Sequence, residues 1–260
     1  MTSVPDTNHL KSTSVTTDDG FLGGELQMLQ PKRGYRAGLE AVFLAASVPA
    51  VAGEQALEAG CGVGVASLCL TKRVAGARVT GVEIEPTLIE LAQLNASRNN
   101  LAGAASFTKC DVRGGTDGSQ IGQNTHAHTF ANPPFFKSDS TRSSDDPLRN
   151  RAHIYERADL DAWVRFLVSI VEPAGTVTLI YRAEGLGELL HLLDRRVGNC
   201  RIFPLYPRAD QPANRVIIQG TKGSRAPATL LRGLVLHGSG DEFTPEAQSV
   251  LRHGAALRFD

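Results

Sequence analysis

The alternation of strand-like and helix-like segments is the feature that most restricts the fold of this 260-residue chain. From residue 55 onward, short β-rich runs alternate with helical patterns, which is typical of βαβ units and a mostly parallel sheet. The predicted strands are Gln55–Ala59, Arg78–Ile84, Ala105–Cys110, His128–Ala131, Thr176–Tyr181, Arg201–Leu205 and Val216–Gly220. The predicted helices are Val65–Val74, Pro86–Asn99, Asp159–Val171 and Gly185–Val197. We therefore expect an α/β fold whose seven-stranded, mostly parallel sheet carries helices on both faces.

Residues 20–260 are expected to form a single domain, because this length suits one large α/β unit. Residues 1–19 are rich in Ser, Thr and Asp and do not resemble a signal peptide, so they predict a disordered tail. Residues 20–52 predict an N-terminal extension with an extended stretch, a basic loop and a helix. The polar segment 137–157 is too long for a routine connection and predicts a mobile substrate loop. Near the C terminus, Thr244 and Pro245 predict the cap and first position of a further helix.

Charge and cysteine content argue against several classes of protein. Lys plus Arg and Asp plus Glu both number 27, so a nucleic-acid partner would need a local basic surface. The four cysteines show neither zinc-finger nor disulfide spacing. His126 and His128 have no third ligand nearby in the sequence, so no metal is expected. The scattered cysteines favour a reducing, cytoplasmic location. No apolar run is long enough to span a bilayer, so no membrane partner is expected. The sequence does not indicate the oligomeric state.

Three glycines, Gly60, Gly62 and Gly64, follow the first of these strands in "ALEAGCGVGVASLCL". Glycine is needed where the backbone turns sharply and must approach a ligand closely. About twenty residues later, Glu83 ends the next strand, where a carboxylate can accept both ribose hydroxyls. The pattern predicts a nucleotide-like cofactor. A tight βα turn with Glu83 as a helix cap is the plainer alternative; a nicotinamide dinucleotide is disfavoured because G-x-G-x-x-G is absent.

Together with Glu58, the glycines give the form E-x-G-x-G-x-G, which resembles motif I of the class I S-adenosylmethionine methyltransferases. The resemblance implies a Rossmann-like fold and S-adenosyl-L-methionine as cofactor. It also implies that the loop passes under the methionine part and that Glu83 holds the ribose. Asp111, in "KCDV" after the third strand, would hold the adenine amino group, although an acid there also fits a turn or N-cap. The implied cofactor-binding residues in this part of the chain are Glu58, Gly60, Gly62, Gly64, Glu83, Asp111 and Asn132.

The stretch "HTFANPPFFKS", residues 128–138, ends a predicted strand in Asn132 and two prolines. Proline cannot donate to a sheet, so nearby carbonyls stay free and the loop is stiff. If the Asn132 side-chain oxygen and the Pro133 carbonyl each accept one N–H of a flat amine, its lone pair turns toward the sulfonium methyl. Phe135 offers a face for stacking a planar substrate, and Phe136 is predicted in the core. We predict Asn132, Pro133 and Phe135 as catalytic residues.

The tetrapeptide N-P-P-F resembles motif IV, [N/D]-P-P-[Y/F/W], of the amino-group methyltransferases, although the same residues are also turn signals. Upstream, "LQPKRGYRAGLEAVFLAASV" resembles the bacterial tRNA(Val) adenine-N6 methyltransferase family. The matching residues are Gln30, Lys32, Arg33, Gly34, Tyr35, Arg36 and Glu40. The resemblance implies that Tyr35 and Arg36 lie over the cofactor, with Arg36 near its carboxylate. A salt bridge between Arg36 and Glu40 is the plainer alternative.

These resemblances imply methyl transfer from S-adenosyl-L-methionine to the exocyclic N6 amine of an adenine in tRNA. RNA would be bound by local basic residues, unless those residues only solubilise a mobile loop. The candidates are Lys32, Arg33, Lys137, Arg142, Arg149, Arg151 and Arg157. Methylation of guanine-N2 in rRNA or of a protein glutamine remains open. A non-catalytic, cofactor-binding protein associated with RNA is the alternative from another class.

Overall fold

The computed structural model describes residues 15–34, 36–115, 121–134 and 158–259, without the side chains of 158 and 159. The strands are β1 (Thr16–Phe21), β2 (Leu26–Pro31), β3 (Gln55–Ala59), β4 (Arg78–Glu83), β5 (Ala105–Lys109), β6 (His126–Ala131), β7 (Val171–Arg182), β8 (Val197–Tyr206), β9 (Arg215–Lys222), β10 (Thr229–Leu230) and β11 (Leu234–Val235). The helices are α1 (Leu39–Ser47), α2 (Val65–Arg73), α3 (Pro86–Arg98), α4 (Ala158–Ile170), α5 (Leu186–Leu193) and α6 (Pro245–His253).

The main sheet has the strand order β8-β9-β7-β6-β3-β4-β5, with the short β10 and β11 paired to β8. Neighbouring strands from β5 to β7 run parallel, and β9 is antiparallel to both β7 and β8. The predicted mostly parallel α/β sheet is therefore confirmed. The strand order reverses between β3 and β6, and in open α/β sheets ligands bind at the carboxyl ends of the strands beside such a reversal.

Both faces of this sheet carry apolar residues. This agrees with the prediction of helices on both faces, because each helix layer packs on apolar side chains of the sheet. On β3, Ala56 belongs to a cluster with α1, α2 and α3, whereas Leu57 belongs to a cluster with α4 and α5. Successive side chains of a strand point to opposite faces, so these two clusters lie on either side of the sheet. The carboxyl ends of the central strands are consequently held by packing from both layers.

Two element boundaries near the end of the sheet differ from the sequence prediction. Strand β7 begins at Val171, a residue predicted as helical, and helix α5 ends at Leu193 rather than at residue 197. Val197 instead starts β8, where it pairs with Lys222 of β9. Antiparallel pairing with β9 thus extends β8 beyond its predicted range. The hydrogen bonds between the two strands stabilise this segment more than a helix with the local periodicity would.

The N-terminal segment also differs from prediction, because residues 16–19 are not part of a tail. They lie in β1, which pairs antiparallel with β2 from Thr16↔Pro31 to Phe21↔Leu26. The side chains of Leu26 and Met28 are fully buried and anchor this hairpin on the domain. The extended stretch and the helix predicted within residues 20–52 are present as β2 and α1.

Thr244 caps helix α6 as predicted, with Pro245 at the first helical position. Its Oγ1 accepts from the Ala247 N–H at 3.2 Å and donates to the Val235 carbonyl at 2.8 Å. We expect Thr244→Ala to lower the free energy of unfolding by about 1 kcal/mol, measured by urea denaturation. Ser249→Ala, in the interior of the same helix, should change it by less than about 0.5 kcal/mol. Equal losses in the two variants would show that the cap is not a stabilising feature.

Candidate active site

The carboxyl ends of β3, β4, β5 and β6 bring most of the predicted site residues to one edge of the sheet. Ala59 of β3 is in register with Ala131 of β6, so Gly60 and Asn132 leave the sheet at neighbouring positions. On the other side, β3 pairs with β4, which ends at Glu83. Gly60 and Asn132 are 72 positions apart in sequence, and they lie close together because their strands are adjacent.

The glycine loop needs glycine both for its conformation and for its packing. Gly60, Gly62 and Gly64 have φ angles of 64°, 54° and 86°, in the left-handed region that side chains disfavour. A Cβ at Gly60 would lie 2.3 Å from Cη2 of Trp163, and a Cβ at Gly64 would lie 2.8 Å from Cζ of Phe107. The loop is thus a backbone cradle between two aromatic side chains, which suits a ligand that approaches the main chain closely.

The peptide groups of this loop are fixed by the protein itself. The Gly62 N–H donates to Oε2 of Glu83 at 3.0 Å, and the Gly64 N–H donates to the Cys61 carbonyl at 2.9 Å. The Val63 carbonyl accepts from Nδ2 of Asn95 at 3.1 Å. Because these bonds come from the protein itself, the loop would lose little conformational freedom when it binds a ligand.

Glu83 is held at the end of β4 by backbone donors. Its Oε1 accepts from the N–H groups of Ile84 and Glu85 at 2.8 and 3.1 Å, in addition to the bond from Gly62 to Oε2. Burial raises the pKa of Glu83, and these three donors oppose that shift. A carboxylate has about four acceptor positions, so capacity for a further donor remains. Its role in holding a ribose stays a prediction.

Glu58 lies deeper than a residue on the surface of the cradle, because only 5% of it is exposed. Its Oε2 accepts from the Ser67 N–H at 2.8 Å and from the Ser67 hydroxyl at 2.5 Å. Burial raises the pKa of Glu58 to about 8, and the bonds from Ser67 oppose this shift. The carboxyl anchors the first turn of α2 behind the glycine loop, and its contact with the cofactor stays a prediction.

Asp111 follows β5 and caps the short turn Val112–Gly114. Its carboxylate accepts from the Arg113 backbone N–H and from the Arg113 guanidinium, each at 3.0 Å. These bonds hold the pKa of Asp111 below its usual value. The N-cap alternative is therefore present in the structure, and binding of an adenine amino group by Asp111 stays a prediction.

The side chain of Arg36 contacts the N-terminal hairpin. Its guanidinium donates to Asp19 Oδ2 at 2.6 Å and to Thr17 Oγ1 at 2.6 Å, both on the N-terminal hairpin. Glu40, the alternative partner, instead pairs with Arg215 at 3.2 Å, so the predicted salt bridge between Arg36 and Glu40 is wrong. Contact between Arg36 and a cofactor carboxylate stays a prediction. Tyr35 lies outside the described residues.

Asn132, the residue that follows β6, carries an unusual polar atom. Its Oδ1 is buried and has no hydrogen-bond partner among the residues that the structure describes. Buried side-chain acceptors are rarely left in this state, so the atom fits an N–H donor supplied by a ligand. Pro133 is buried beside it, whereas Phe135 and Phe136 lie outside the described residues.

Trp163 is a site residue that the sequence reasoning did not identify. It is the only tryptophan of the chain, its ring edge packs against Gly60, and it lies on α4. Within the described residues, its Nε1 is buried without a hydrogen-bond partner. A lone tryptophan in an amphipathic helix reads as a core residue, and only the tertiary contact with Gly60 reveals its place at the cradle.

Of the predicted RNA-facing residues, the structure describes two. Lys32 and Arg33 are exposed in the loop that follows β2. The other five, Lys137, Arg142, Arg149, Arg151 and Arg157, lie outside the described residues, as does the predicted substrate loop 137–157. Among the helices that the structure describes, none is long and apolar enough to cross a membrane.

The raised pKa of Glu58 predicts a measurable pH dependence of stability. Between about pH 4.5 and 8 the unfolded chain loses this proton and the folded chain keeps it, so the free energy of unfolding falls as pH rises. The slope from one such group is about 1.4 kcal/mol per pH unit. We expect Glu58→Gln to reduce this fall, as measured by urea denaturation at pH 5, 6, 7 and 8.

Ser67→Ala tests the same carboxyl group by shifting its pKa in place of removing it. The Ser67 hydroxyl lowers the pKa of Glu58, so its removal should raise that pKa further and extend the fall in stability to higher pH. Glu83 contributes a fall of the same sign, which both variants retain. An unchanged pH slope in Glu58→Gln would contradict the assignment of the buried proton to Glu58.

Comparison with known protein families supports the chemistry that this edge of the sheet suggests. Residues 38–145 match the family model of the methyltransferase small domain. A tRNA1(Val) (adenine(37)-N6)-methyltransferase from Porphyromonas gingivalis is 26% identical, over 81% of this chain and 85% of that relative. One of the same description from Vibrio campbellii is 25% identical, over 90% of this chain and 96% of the relative.

Solved structures agree at the level of the fold. A predicted O-methyltransferase from Agrobacterium tumefaciens matches with a TM-score of 0.71 and 22% identity, covering 84% of this chain and 97% of that one. Geranyl diphosphate C-methyltransferase from Streptomyces coelicolor, in complex with S-adenosyl-L-homocysteine among other ligands, matches with a TM-score of 0.50 and 14% identity, covering 70% and 75%. The methyltransferase small domain and the methyltransferase relatives together support an S-adenosylmethionine-dependent methyltransferase, and the solved structures show the same fold.

Proposed function

We propose that this methyltransferase transfers a methyl group to the exocyclic N6 amine of an adenine in tRNA. The observation that carries the proposal is the buried Oδ1 of Asn132, which has no hydrogen-bond partner in the described parts of the chain; Asn132 leaves the sheet next to Gly60 of the glycine loop. An acceptor in this position suits a substrate that brings N–H groups to the cofactor. The relatives described as tRNA1(Val) (adenine(37)-N6)-methyltransferases favour adenine as the carrier of that amine.

The cofactor fits the residues of the glycine loop. Gly60 and Gly64 carry no side chains, because Trp163 and Phe107 occupy the space that a Cβ would need. The peptide groups of the loop are fixed by Glu83 and Asn95, so they form a preformed cradle. In our proposal the loop holds the methionine part, Glu83 accepts the ribose hydroxyls and Asp111 receives the adenine amino group. S-adenosyl-L-methionine supplies the activated methyl group when it is bound.

Asn132 would act by alignment of the substrate amine. The lone pair of an exocyclic amine is delocalised into the ring, so the nitrogen is a poor nucleophile. When Asn132 Oδ1 and the Pro133 carbonyl each accept one N–H, the nitrogen is drawn toward tetrahedral geometry and its lone pair is aimed for in-line displacement. The same oxygens stabilise positive charge that develops on the nitrogen. After transfer the proton is acidic and leaves to water, so no strong general base is needed.

The RNA substrate would be recognised through local positive charge and an unstacked base. Lys32 and Arg33 are exposed after β2, and the basic residues of segment 137–157 would add to them. Phosphate contacts of this kind make affinity fall with increasing salt. The target adenine must leave its stack to reach Asn132, and this is easiest in a single-stranded loop.

The test is methyl transfer from labelled S-adenosyl-L-methionine to total RNA, followed by nucleoside analysis. We expect N6-methyladenosine from the wild-type protein. Asn132→Leu removes the acceptor at similar size and should lower kcat by roughly a hundredfold or more, the usual cost of losing one aligned polar group. Asn132→Asp keeps an acceptor oxygen and should retain more activity than Asn132→Leu.

Binding of S-adenosyl-L-homocysteine to each variant, measured by calorimetry, shows whether the cofactor site is intact. Loss of transfer with near-normal binding supports the role of Asn132 in alignment. Wild-type activity in Asn132→Leu would contradict it. N2-methylguanosine as the product would identify guanine as the substrate, and labelled protein would identify a glutamine. Effects on RNA without any methyl transfer would indicate a non-catalytic protein.

A further inference from the structure

The cofactor loop and the N-terminal hairpin meet at one side chain, that of Asn95 on α3. Its Oδ1 accepts from the Leu29 N–H at 2.8 Å, and its Nδ2 donates to the Leu29 carbonyl at 3.0 Å and to the Val63 carbonyl at 3.1 Å. Asn95 is completely buried. A carboxamide left unpaired at such a site would be strongly destabilising, so these bonds justify an asparagine in the helix interior.

The side chains of Asn95 and Asn99 bind peptide groups of β2 on the edge that faces away from β1. The hairpin sheet has two strands, and β2 pairs with β1 along one edge only. On its other edge, Asn99 accepts from the Gln27 N–H and donates to the Gln27 carbonyl, each at 2.9 Å, as Asn95 does with Leu29. Residues i and i+4 of a helix rise about 6 Å, close to the roughly 6.7 Å between alternate residues of a strand. The helix can therefore satisfy successive outward-facing peptide groups of β2.

Only one of the two asparagines also contacts the cofactor loop. Asn95 binds the carbonyl of Val63, which lies between Gly62 and Gly64, two residues in left-handed conformation. A glycine on each side makes this peptide group easy to rotate, so its orientation depends on the partners of its polar atoms. Asn95 thus fixes the loop with the same carboxamide that docks the hairpin.

We propose that Asn95 is a positioning residue that couples hairpin docking to cofactor binding. A hairpin in place holds the carboxamide in the orientation that fixes Val63, and a cofactor on the loop stabilises that orientation in return. Such coupling is reciprocal by thermodynamic necessity. The hairpin also contributes Gln30, whose side chain binds the backbone of Ala37 at 2.8 Å, so the coupling extends to the basic loop before α1. The proposal depends on the cofactor site alone and not on the identity of the methylated substrate.

Asn95→Asp and Asn99→Asp form a matched pair for testing this coupling. Each variant keeps an oxygen that can accept from a β2 N–H, and each places a second, negatively charged oxygen next to a β2 carbonyl, which it repels. Only in Asn95→Asp does this second oxygen also repel the carbonyl of Val63. Calorimetric titration should show the Kd for S-adenosyl-L-homocysteine raised by roughly tenfold or more in Asn95→Asp. Asn99→Asp weakens hairpin docking but leaves the bond from Asn95 to Val63 in place, so we expect a clearly smaller rise in its Kd, although both variants should have lower Tm values than the wild type.

Hydrogen exchange on the wild-type protein gives a second measurement that does not depend on whether a variant folds. S-adenosyl-L-homocysteine should slow exchange of the Leu29 amide, which is bonded to Asn95, more than exchange of the Gln27 amide, which is bonded to Asn99. Equal Kd values for the two variants would overturn the proposal. So would a Leu29 amide whose exchange responds to the ligand no more than that of Gln27.

Discussion

The close contact between the glycine loop and the layers on either side of it is the constraint on which the site depends. Trp163 fills the space where Gly60 would carry a Cβ, and Phe107 does the same at Gly64. These contacts bring α4 and β5 against the backbone that follows β3. The loop can therefore present its peptide groups at the crevice only if both positions lack side chains. Packing therefore already requires glycine at the two positions where the sequence predicts close approach of a cofactor.

Polar contacts then fix the direction of the loop's peptide groups. Glu83 receives the Gly62 N–H, and Asn95 supplies a donor to the Val63 carbonyl. Glu58 binds Ser67 at the start of the helix that follows. Each of these partners comes from a different element, so the conformation of a short loop depends on β3, β4 and α3 together. A loop oriented in this way loses less conformational entropy when the cofactor binds.

The carboxyl groups around the crevice differ in protonation because their surroundings differ. Burial dominates at Glu58 and raises its pKa to about 8, whereas the neighbouring guanidinium dominates at Asp111 and lowers its pKa. Asn132 contributes an uncharged acceptor at the same edge, and its buried oxygen has no partner among the described residues. In the proposed function, this acceptor would orient the N–H groups of a substrate amine so that its lone pair faces the methyl group.

By itself, the sequence determined the alternating α/β fold, the glycine loop and the residues at the ends of the central strands, because hydrophobic periodicity and glycine spacing are local signals. The strand β1, the partners of Arg36 and Glu40, the packing of Trp163 on Gly60 and the bonds of Asn95 were decided only in the tertiary structure. Each of these joins residues that are distant along the chain or have several possible partners. Which partner is chosen depends on strand order and layer packing, and no local pattern of residues carries that information.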